Sequence, residues 1–135
     1  MTEIDEEMTA MARGSMPFAA ALELSIISAS KDVVVGTAPW SADRTTVAGA
    51  LHGGCLMALA DSVGAMCAFL NLPDGAGTST IESKTNFFRS LTDGNADITA
   101  TLVHGGRRTI VVQTDIARSD GKLVSRTTQT QAVLA

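Results

Sequence analysis

A chain of 135 residues has room for one hydrophobic core, so we expect residues 1–135 to form a single domain, with residues 1–16 as an N-terminal helix and linker. The net charge of −4 makes a nucleic-acid partner unexpected, because phosphate binding needs a concentrated basic face. Polar residues interrupt every apolar run before about 18 residues, so no membrane span and no membrane partner are predicted.

The first 40 residues predict a helix followed by a β-hairpin. Ile4, Met8 and Met11 have helical spacing among acidic residues, which predicts a short amphipathic helix over residues 3–12 that ends near Pro17. This acidic start is unlike a secretory signal, which is basic and then strongly apolar, so we expect a cytoplasmic protein. Residues 24–39 are rich in β-formers on both sides of a polar turn, and residues 41–50 predict a loop.

Residues 53–70 form the longest apolar segment of the chain and predict a helix. Because the segment is apolar nearly all round, we expect the helix to be buried. Cys55 and Cys67 lie on it about 18 Å apart, at 1.5 Å per residue. A disulfide needs Cα atoms within roughly 7 Å, so the two cysteines cannot pair within one chain.

Four β-rich runs follow, at residues 80–89, 96–105, 108–119 and 122–135, separated by glycine-containing turns. The order predicts four strands in a meander. Apolar and polar residues alternate in the second and third runs, so one face of the sheet packs against something. The long helix is the only segment large enough to cover it. We therefore predict an α+β fold in which an antiparallel sheet wraps around one buried helix.

Asp61 is the strongest candidate catalytic residue. It lies in the middle of the apolar helix, no cation is three or four residues away, and Ser62 is its only polar neighbour in sequence. An ionised carboxylate buried without partners is costly, and such groups concentrate at functional sites. Two simpler interpretations remain open, namely that Asp61 faces solvent through a gap or caps a loop from elsewhere in the fold.

His52, Gly53 and Gly54 open the same helix. Two glycines at a helix start leave N–H groups bare at the positive end of the helix dipole, which is typical of a site for an oxyanion or a carbonyl oxygen. The alternative is that the glycines only permit a tight turn into the helix.

The stretch HGGCLMALADSVGAMCAF, with His-Gly-Gly, six residues and then Asp, resembles the hotdog-fold acyl-CoA thioesterases of the phenylacetate-pathway and 4-hydroxybenzoyl-CoA thioesterase group. The run TIESKTNFFR resembles the strand that follows in that family. The resemblance extends from about Pro17 to the C-terminus.

The resemblance implies hydrolysis of acyl-CoA or aryl-CoA thioesters without a metal or redox cofactor, by homodimers that often pair into homotetramers. Asp61 would act as general base or as nucleophile. The Gly53 N–H would polarise the thioester carbonyl, with Gly54 beside it, and His52 would support that turn. A hydroxyl early in the next strand, Thr80 or Ser79, would position the water or the carboxylate.

The sequence departs from the family at Thr46, where many members carry Asn or Gln; a hydroxyl can still bind there but has a shorter reach. Other candidates for binding the substrate are less specific. Arg89, Arg107 and Arg108 are the only clustered bases in the β half and match the phosphates of CoA, although solvated surface charge explains each of them as well. Phe18 is a candidate for an acyl pocket, although Phe residues belong to the core by default.

The spacing between Gly53 and Asp61 adds an inference about assembly. Eight residues on one helix span about 12 Å along the axis. A carboxylate and an oxyanion donor that act on one carbonyl must both lie within roughly 3 Å of the reacting atoms. One chain cannot supply both, whereas two antiparallel helices across a two-fold axis can.

Two other functions are compatible with the same pattern. Hydratases and dehydratases of this fold act on enoyl or hydroxyacyl thioesters and generally use a catalytic His, and a non-catalytic acyl-CoA binding module would bind without turnover. Cys55, one turn after His52, is either a nucleophile or a small hydrophobic residue. His104 precedes a Gly-Gly turn and is expected to be exposed. The sequence shows no metal-ligand spacing.

Overall fold

The computed structural model describes residues 3–135, and these begin with two short helices. Helix α1 spans Glu6–Ser15, and the side chain of Asp5 caps it by accepting the Met8 N–H at 3.0 Å. Helix α2 spans Pro17–Ala21. The prediction of a helix over residues 3–12 was therefore placed three residues early. Pro17 starts a second helix, because proline fits the first helical turn, where its missing N–H is not needed.

Six antiparallel strands form one sheet in the order β1-β2-β4-β5-β6-β3. Their bounds are β1 Ser25–Ala29, β2 Val33–Pro39, β3 Gly77–Phe87, β4 Asn95–Gly105, β5 Thr109–Ala117 and β6 Leu123–Leu134. The predicted hairpin is confirmed, but the four-strand meander is wrong. Only β4, β5 and β6 form a meander, because the chain crosses the sheet between β2 and β3. Strand β3 therefore pairs with β6 at the far edge.

Helix α3, Gly53–Phe69, makes that crossing and packs against the inner face of the sheet. Its Leu59 and Val63 are buried with the inward residues of the central strands, among them Ile98, Val112 and Ile116. The alternation predicted for β4 and β5 is confirmed, since the predicted apolar positions Ile98, Val112 and Ile116 are fully buried. The predicted architecture, an antiparallel sheet around one long helix, is also confirmed.

One side of α3 is not buried, contrary to the prediction. Gly54 and Phe69 are exposed, and Met57, Ala58, Asp61 and Ala65, which lie between them, are partly exposed. The spacing of three or four residues places all six on one stripe of the helix. We call these six residues the open stripe. Asp61 lies at its centre and is the only charged residue on it.

The two edges of the sheet differ. Helix α1 covers the β1 edge, where Thr9 Oγ1 accepts the Ile26 N–H at 2.8 Å and the Asp5 N–H donates to Ile26 O, also at 2.8 Å. No strand of the described chain pairs with the outer edge of β3. Within residues 3–135, no helix is long and apolar enough to cross a membrane.

Candidate active site

The carboxylate of Asp61 is held by two neutral donors that meet at one oxygen. Thr80 Oγ1 donates to Asp61 Oδ1 at 2.7 Å, and Gln129 Nε2 donates to the same oxygen at 2.9 Å. In the described part of the chain, no Lys, Arg or His forms an ion pair with Asp61. Ser62, its polar neighbour in sequence, donates to Ala58 O instead. The carboxylate is therefore oriented without being neutralised by a cation.

A β-bulge in β3 directs Thr80 toward Asp61. The register with β6 shifts between Thr80 and Glu82, so Ile81 is an extra residue whose side chain is 59% exposed. Because of this extra residue, Thr80 and Ser83 face the helix although they are three positions apart. Bulges redirect side chains in this way beside active sites. Ser79 is exposed on the other face of the strand, so the geometry favours Thr80 of the two predicted hydroxyls.

Two buried glutamines of β6 complete the surroundings of Asp61. Gln129 contacts the carboxylate directly, and Gln131 Nε2 donates to Thr80 Oγ1 at 2.7 Å. Sequence reasoning missed both, because β6 carries polar residues on both faces and its alternation does not show which face is inside. The available signal was that a strand packed on one face must bury alternate residues, so this run buries polar side chains whichever of its faces is inside.

Asp61 lies in an open depression of about 290 Å³ lined by Gly54, Met57, Ala58, Asp61, Thr80 and Ser83. Three of these residues besides Asp61 belong to the open stripe. The depression is therefore the part of the stripe at which a reacting group can reach the carboxylate.

The first turn of α3 is organised by His52. Its Nδ1 accepts the Gly54 N–H at 2.8 Å, and the Leu56 N–H donates to His52 O at 3.1 Å. The expectation that both glycine N–H groups are bare is thus wrong for Gly54, whose N–H is occupied by the cap. No hydrogen bond within residues 3–135 engages the Gly53 N–H, which lies at the positive end of the helix dipole.

Gly53 lines a second cleft, which has a volume of about 420 Å³ and does not include Asp61 in its lining. Its walls include Thr46, Phe87, Phe88 and Arg89. The Phe87 ring packs on Gly53 so closely that a Cβ there would stand 3.2 Å from Phe87 Cζ. Phe87 and Phe88 are half exposed, which corrects their default assignment to the core.

The three arginines do not form a cluster within one chain. Arg89 Nη1 donates to Leu123 O at the start of β6, whereas Arg108 O accepts the Val133 N–H at its end. These points are separated by about 30 Å along the strand, at roughly 3.3 Å per residue. Arg107 is exposed in the same turn as Arg108. Only Arg89 therefore lies at the Gly53 cleft.

The remaining candidates lie apart from both cavities. Phe18 is 62% exposed on α2, and His104 is exposed at the end of β4. Burial raises the pKa of the Cys55 thiol and raises that of Cys67 to about 11, so neither is a thiolate at neutral pH. In the part of the chain that the structure describes, no group of three His, Cys, Asp or Glu residues is placed to hold a metal ion.

Comparison with known proteins finds relatives of this chain in sequence and in fold. The family model of the thioesterase superfamily matches residues 48–125. The 1,4-dihydroxy-2-naphthoyl-CoA hydrolase of Escherichia coli (strain K12) is 27% identical over 129 residues, which are 96% of this chain and 93% of that protein. A thioesterase of Haemophilus influenzae superposes with a TM-score of 0.88 at 26% identity, covering 99% of this chain and 92% of that one. A mutant thioesterase of Pseudomonas aeruginosa, at 24% identity, shares the fold with the same TM-score over 96% of this chain and 94% of that one.

Proposed function

Because the chain belongs to the thioesterase superfamily and is a thioester hydrolase of the hotdog fold, we propose that it cleaves acyl-CoA or aryl-CoA thioesters with Asp61 as the catalytic carboxylate. The observation that carries the proposal is the state of this carboxylate. Two neutral donors occupy Oδ1, and Oδ2 accepts no hydrogen bond from the described residues. The depression beside it gives a substrate access.

The reaction needs one free carboxylate oxygen, and Oδ2 supplies it. As general base, Asp61 takes a proton from water while the water oxygen attacks the thioester carbonyl carbon. As nucleophile, Asp61 attacks that carbon itself, and water then hydrolyses the resulting anhydride. In both routes the C–S bond breaks, CoA leaves as a thiolate that takes up a proton, and the acid is released. The Gly53 N–H stabilises the negative charge that develops on the carbonyl oxygen.

The active site in this proposal is formed by two copies of the chain. Gly53 and Asp61 open into different cavities of one chain and are about 12 Å apart along α3. Asp61 lies at the centre of the open stripe and contacts Thr80 of β3, whose outer edge pairs with no strand among residues 3–135, so a partner there could cover both surfaces. An antiparallel second α3 would bring its Gly53 to Asp61 and cover the stripe. We propose a homodimer on this ground, with pairing of dimers into a tetramer as the family resemblance implies.

The acyl group has a candidate pocket one helical turn beyond Asp61. This cavity of about 220 Å³ lies between α1 and α3. Its lining is apolar except for Ser15 and Thr78. The other lining residues are Met11, Ala12, Met16, Ala65, Met66 and Phe69. A methylene group displaces roughly the volume of one water molecule, about 30 Å³, so the pocket holds roughly seven carbons. We propose an unsubstituted aliphatic or phenyl-type acyl group of that size.

A panel of CoA esters tests the proposed function. Purified protein is incubated with acetyl-, hexanoyl-, octanoyl-, phenylacetyl- and crotonyl-CoA, while free thiol is measured with a colorimetric reagent and the acyl products by mass spectrometry. Release of CoA and free acid supports the proposal. Hydration of crotonyl-CoA with the thioester intact would instead identify a hydratase, and binding without any product would identify a binding module.

A further inference from the structure

We propose that Gln129 and Gln131, the two buried glutamines of β6, are positioning residues for Asp61. We further infer that position 64 of helix α3 is glycine because the amide of Gln129 occupies the space of a side chain there. The inference rests on the proposed function, since it gives these residues a role in the reaction of Asp61.

The Gln129 amide is placed directly beneath the carboxylate. Gln129 is fully buried, and its Nε2 donates to Asp61 Oδ1 at 2.9 Å. Its Oε1 has no hydrogen-bond partner among the described residues. A buried amide with an unpaired oxygen is unfavourable for stability, and an apolar side chain of similar shape would be better in a core. A role in folding alone therefore does not explain a glutamine here.

Gly64 makes this placement possible. It lies on α3 one turn after Ala60, where alanine would favour the helix more than glycine does. A Cβ at position 64 would stand 2.0 Å from Gln129 Oε1 and 2.8 Å from Gln129 Cδ. Any larger residue must therefore displace the amide from Asp61. The glycine and the glutamine act as one unit, although Gly64 has no polar side-chain atom of its own.

Gln131 sets the direction of the hydrogen bond from Thr80. A hydroxyl can either donate to or accept from its neighbours, whereas an amide nitrogen can only donate. Gln131 Nε2 donates to Thr80 Oγ1 at 2.7 Å, so the hydroxyl proton of Thr80 is left for Asp61 Oδ1. Gln131 is oriented in turn by Thr78, whose Oγ1 lies 3.0 Å from Gln131 Oε1.

The two glutamines thus fix which carboxylate oxygen reacts. Both donors to Asp61 occupy Oδ1, so Oδ2 is left for the water or the thioester carbon. Because the donors are neutral, they orient the carboxylate without pairing it with a positive charge. Loss of the Gln129 donor should therefore lower the rate of the chemical step more than substrate binding.

The first test replaces Gln129 by methionine, which has a similar shape but no donor. Gln129→Met is expected to lower kcat about tenfold, the scale of one hydrogen bond to a charged group, and to leave KM within about twofold. The melting temperature should not fall, because the variant also removes an unpaired buried oxygen. Gln131→Met should lower kcat less, because Gln131 acts through Thr80. In an Asp61→Ala background, Gln129→Met should cause no further loss.

The second test moves the Gln129 amide away from Asp61 by a substitution at position 64 and leaves Gln129 itself unchanged. Gly64→Ala is expected to lower kcat about as much as Gln129→Met does, and the double variant should be no worse than either single one. Gly14→Ala is the matched control, because Gly14 is also in a helix and a Cβ there meets nothing within 4 Å. It should leave kcat unchanged. If Gln129→Met does not fold, Gly64→Ala and Gly14→Ala still decide the question, because a wild-type kcat for Gly64→Ala would overturn the inference.

Two further results would overturn the inference while the proposed function stands. One is a wild-type kcat for Gln129→Met together with an inactive Asp61→Ala enzyme. The other is a loss of kcat from Gly64→Ala that is equally large whether residue 129 is glutamine or methionine. Failure of the proposed function has a different signature, because Asp61→Ala itself would then remain active, and positioning of Asp61 would have no catalytic meaning.

Discussion

Gly53 and Asp61 belong to one helix, but their surroundings are built differently. The Asp61 region is complete within the chain, with Thr80 from β3 and Gln129 from β6 fixing one carboxylate oxygen. The Gly53 region offers an N–H that has no acceptor among residues 3–135, and a cleft whose phenylalanines are half exposed. On our proposal, the difference means that one chain completes the carboxylate half of the site, whereas the carbonyl half also needs the substrate and a second chain.

The largest expected effect is the loss of the Asp61 charge. In Asp61→Asn the side-chain oxygen can still accept from Thr80 and Gln129, so the fold is kept. We expect kcat to fall at least about 10²-fold, the usual scale for a lost general base, and a similar loss for Asp61→Ala. Steady-state kinetics on the best CoA ester of the panel measure it.

Asp93→Asn is the control, because it removes an equal charge from an exposed turn. It should keep wild-type activity. If Asp61→Asn is folded and nearly as active as the wild type, the carboxylate mechanism is wrong and the contrast between the two regions has no catalytic meaning.

The next prediction tests whether the two regions act together across two chains. Asp61→Ala lacks one half of the site, and Gly53→Val lacks the other, because a Cβ at Gly53 already stands 3.2 Å from Phe87 Cζ. Each variant alone should be inactive. After subunit exchange, a mixed dimer should hold one restored site and one doubly damaged site, so activity should reach about a quarter of wild type when half the dimers are mixed.

Differently tagged subunits show whether exchange has occurred. Mixed dimers that form and remain inactive, while each variant alone is folded and dimeric, would place both halves in one chain.

Much of this arrangement could be predicted because it depends on local patterns of apolar and polar residues in the sequence. The apolar run of α3 and the alternation of β4 and β5 fixed the helix and the sheet, and Asp61 was conspicuous as a lone acid. The partners of Asp61 were harder, because they depend on register across three strands. The bulge at Ile81 depends on the pairing of β3 with β6. The inward orientation of Gln129 depends on the pairing of β6 with β3 and β5, and the sequence specifies neither register. The predicted position of β3 in the sheet was wrong for the same reason, since a meander and a crossover have identical patterns of apolar and polar residues in their strands.

A smaller effect is expected in the apolar pocket beyond Asp61. Ala65 lines the pocket between α1 and α3, and phenylalanine there should fill much of its 220 Å³. We expect Ala65→Phe to lower kcat/KM for octanoyl-CoA about tenfold relative to acetyl-CoA, because about two buried methylenes, at about 0.8 kcal/mol each, lose their site. The ratio of kcat/KM for the two esters is the measurement.

Ala76→Phe, in the loop before β3 and outside this pocket, is the control. An unchanged ratio in Ala65→Phe would show that the acyl group binds elsewhere, while Asp61 keeps its proposed role.

The smallest expected effect lies at the Gly53 cleft and concerns the CoA phosphates. Arg89 lines this cleft, and its Nη1 is held by Leu123 O, so part of the guanidinium remains available for a phosphate. Arg89→Gln should raise KM about twofold to fivefold for CoA esters, since exposed charge pairs are worth at most about 1 kcal/mol, and should leave kcat nearly constant. A short thioester without the nucleotide should show no change in KM.

Arg107→Gln/Arg108→Gln is the informative companion, because these residues lie at the opposite end of β6 in the same chain. If a second chain brings them to Arg89, the double variant should raise KM for CoA esters selectively, as Arg89→Gln does. If it leaves both substrates unaffected, the phosphates are bound at the Gly53 cleft by Arg89 without them. Equal effects of Arg89→Gln on the CoA ester and on the short thioester would instead remove Arg89 from phosphate binding. Its hydrogen bond to Leu123 O would then give Arg89 a structural role beside Phe87 and Phe88 in the lining of the cleft. The Gly53 region would in that case recognise only the thioester itself.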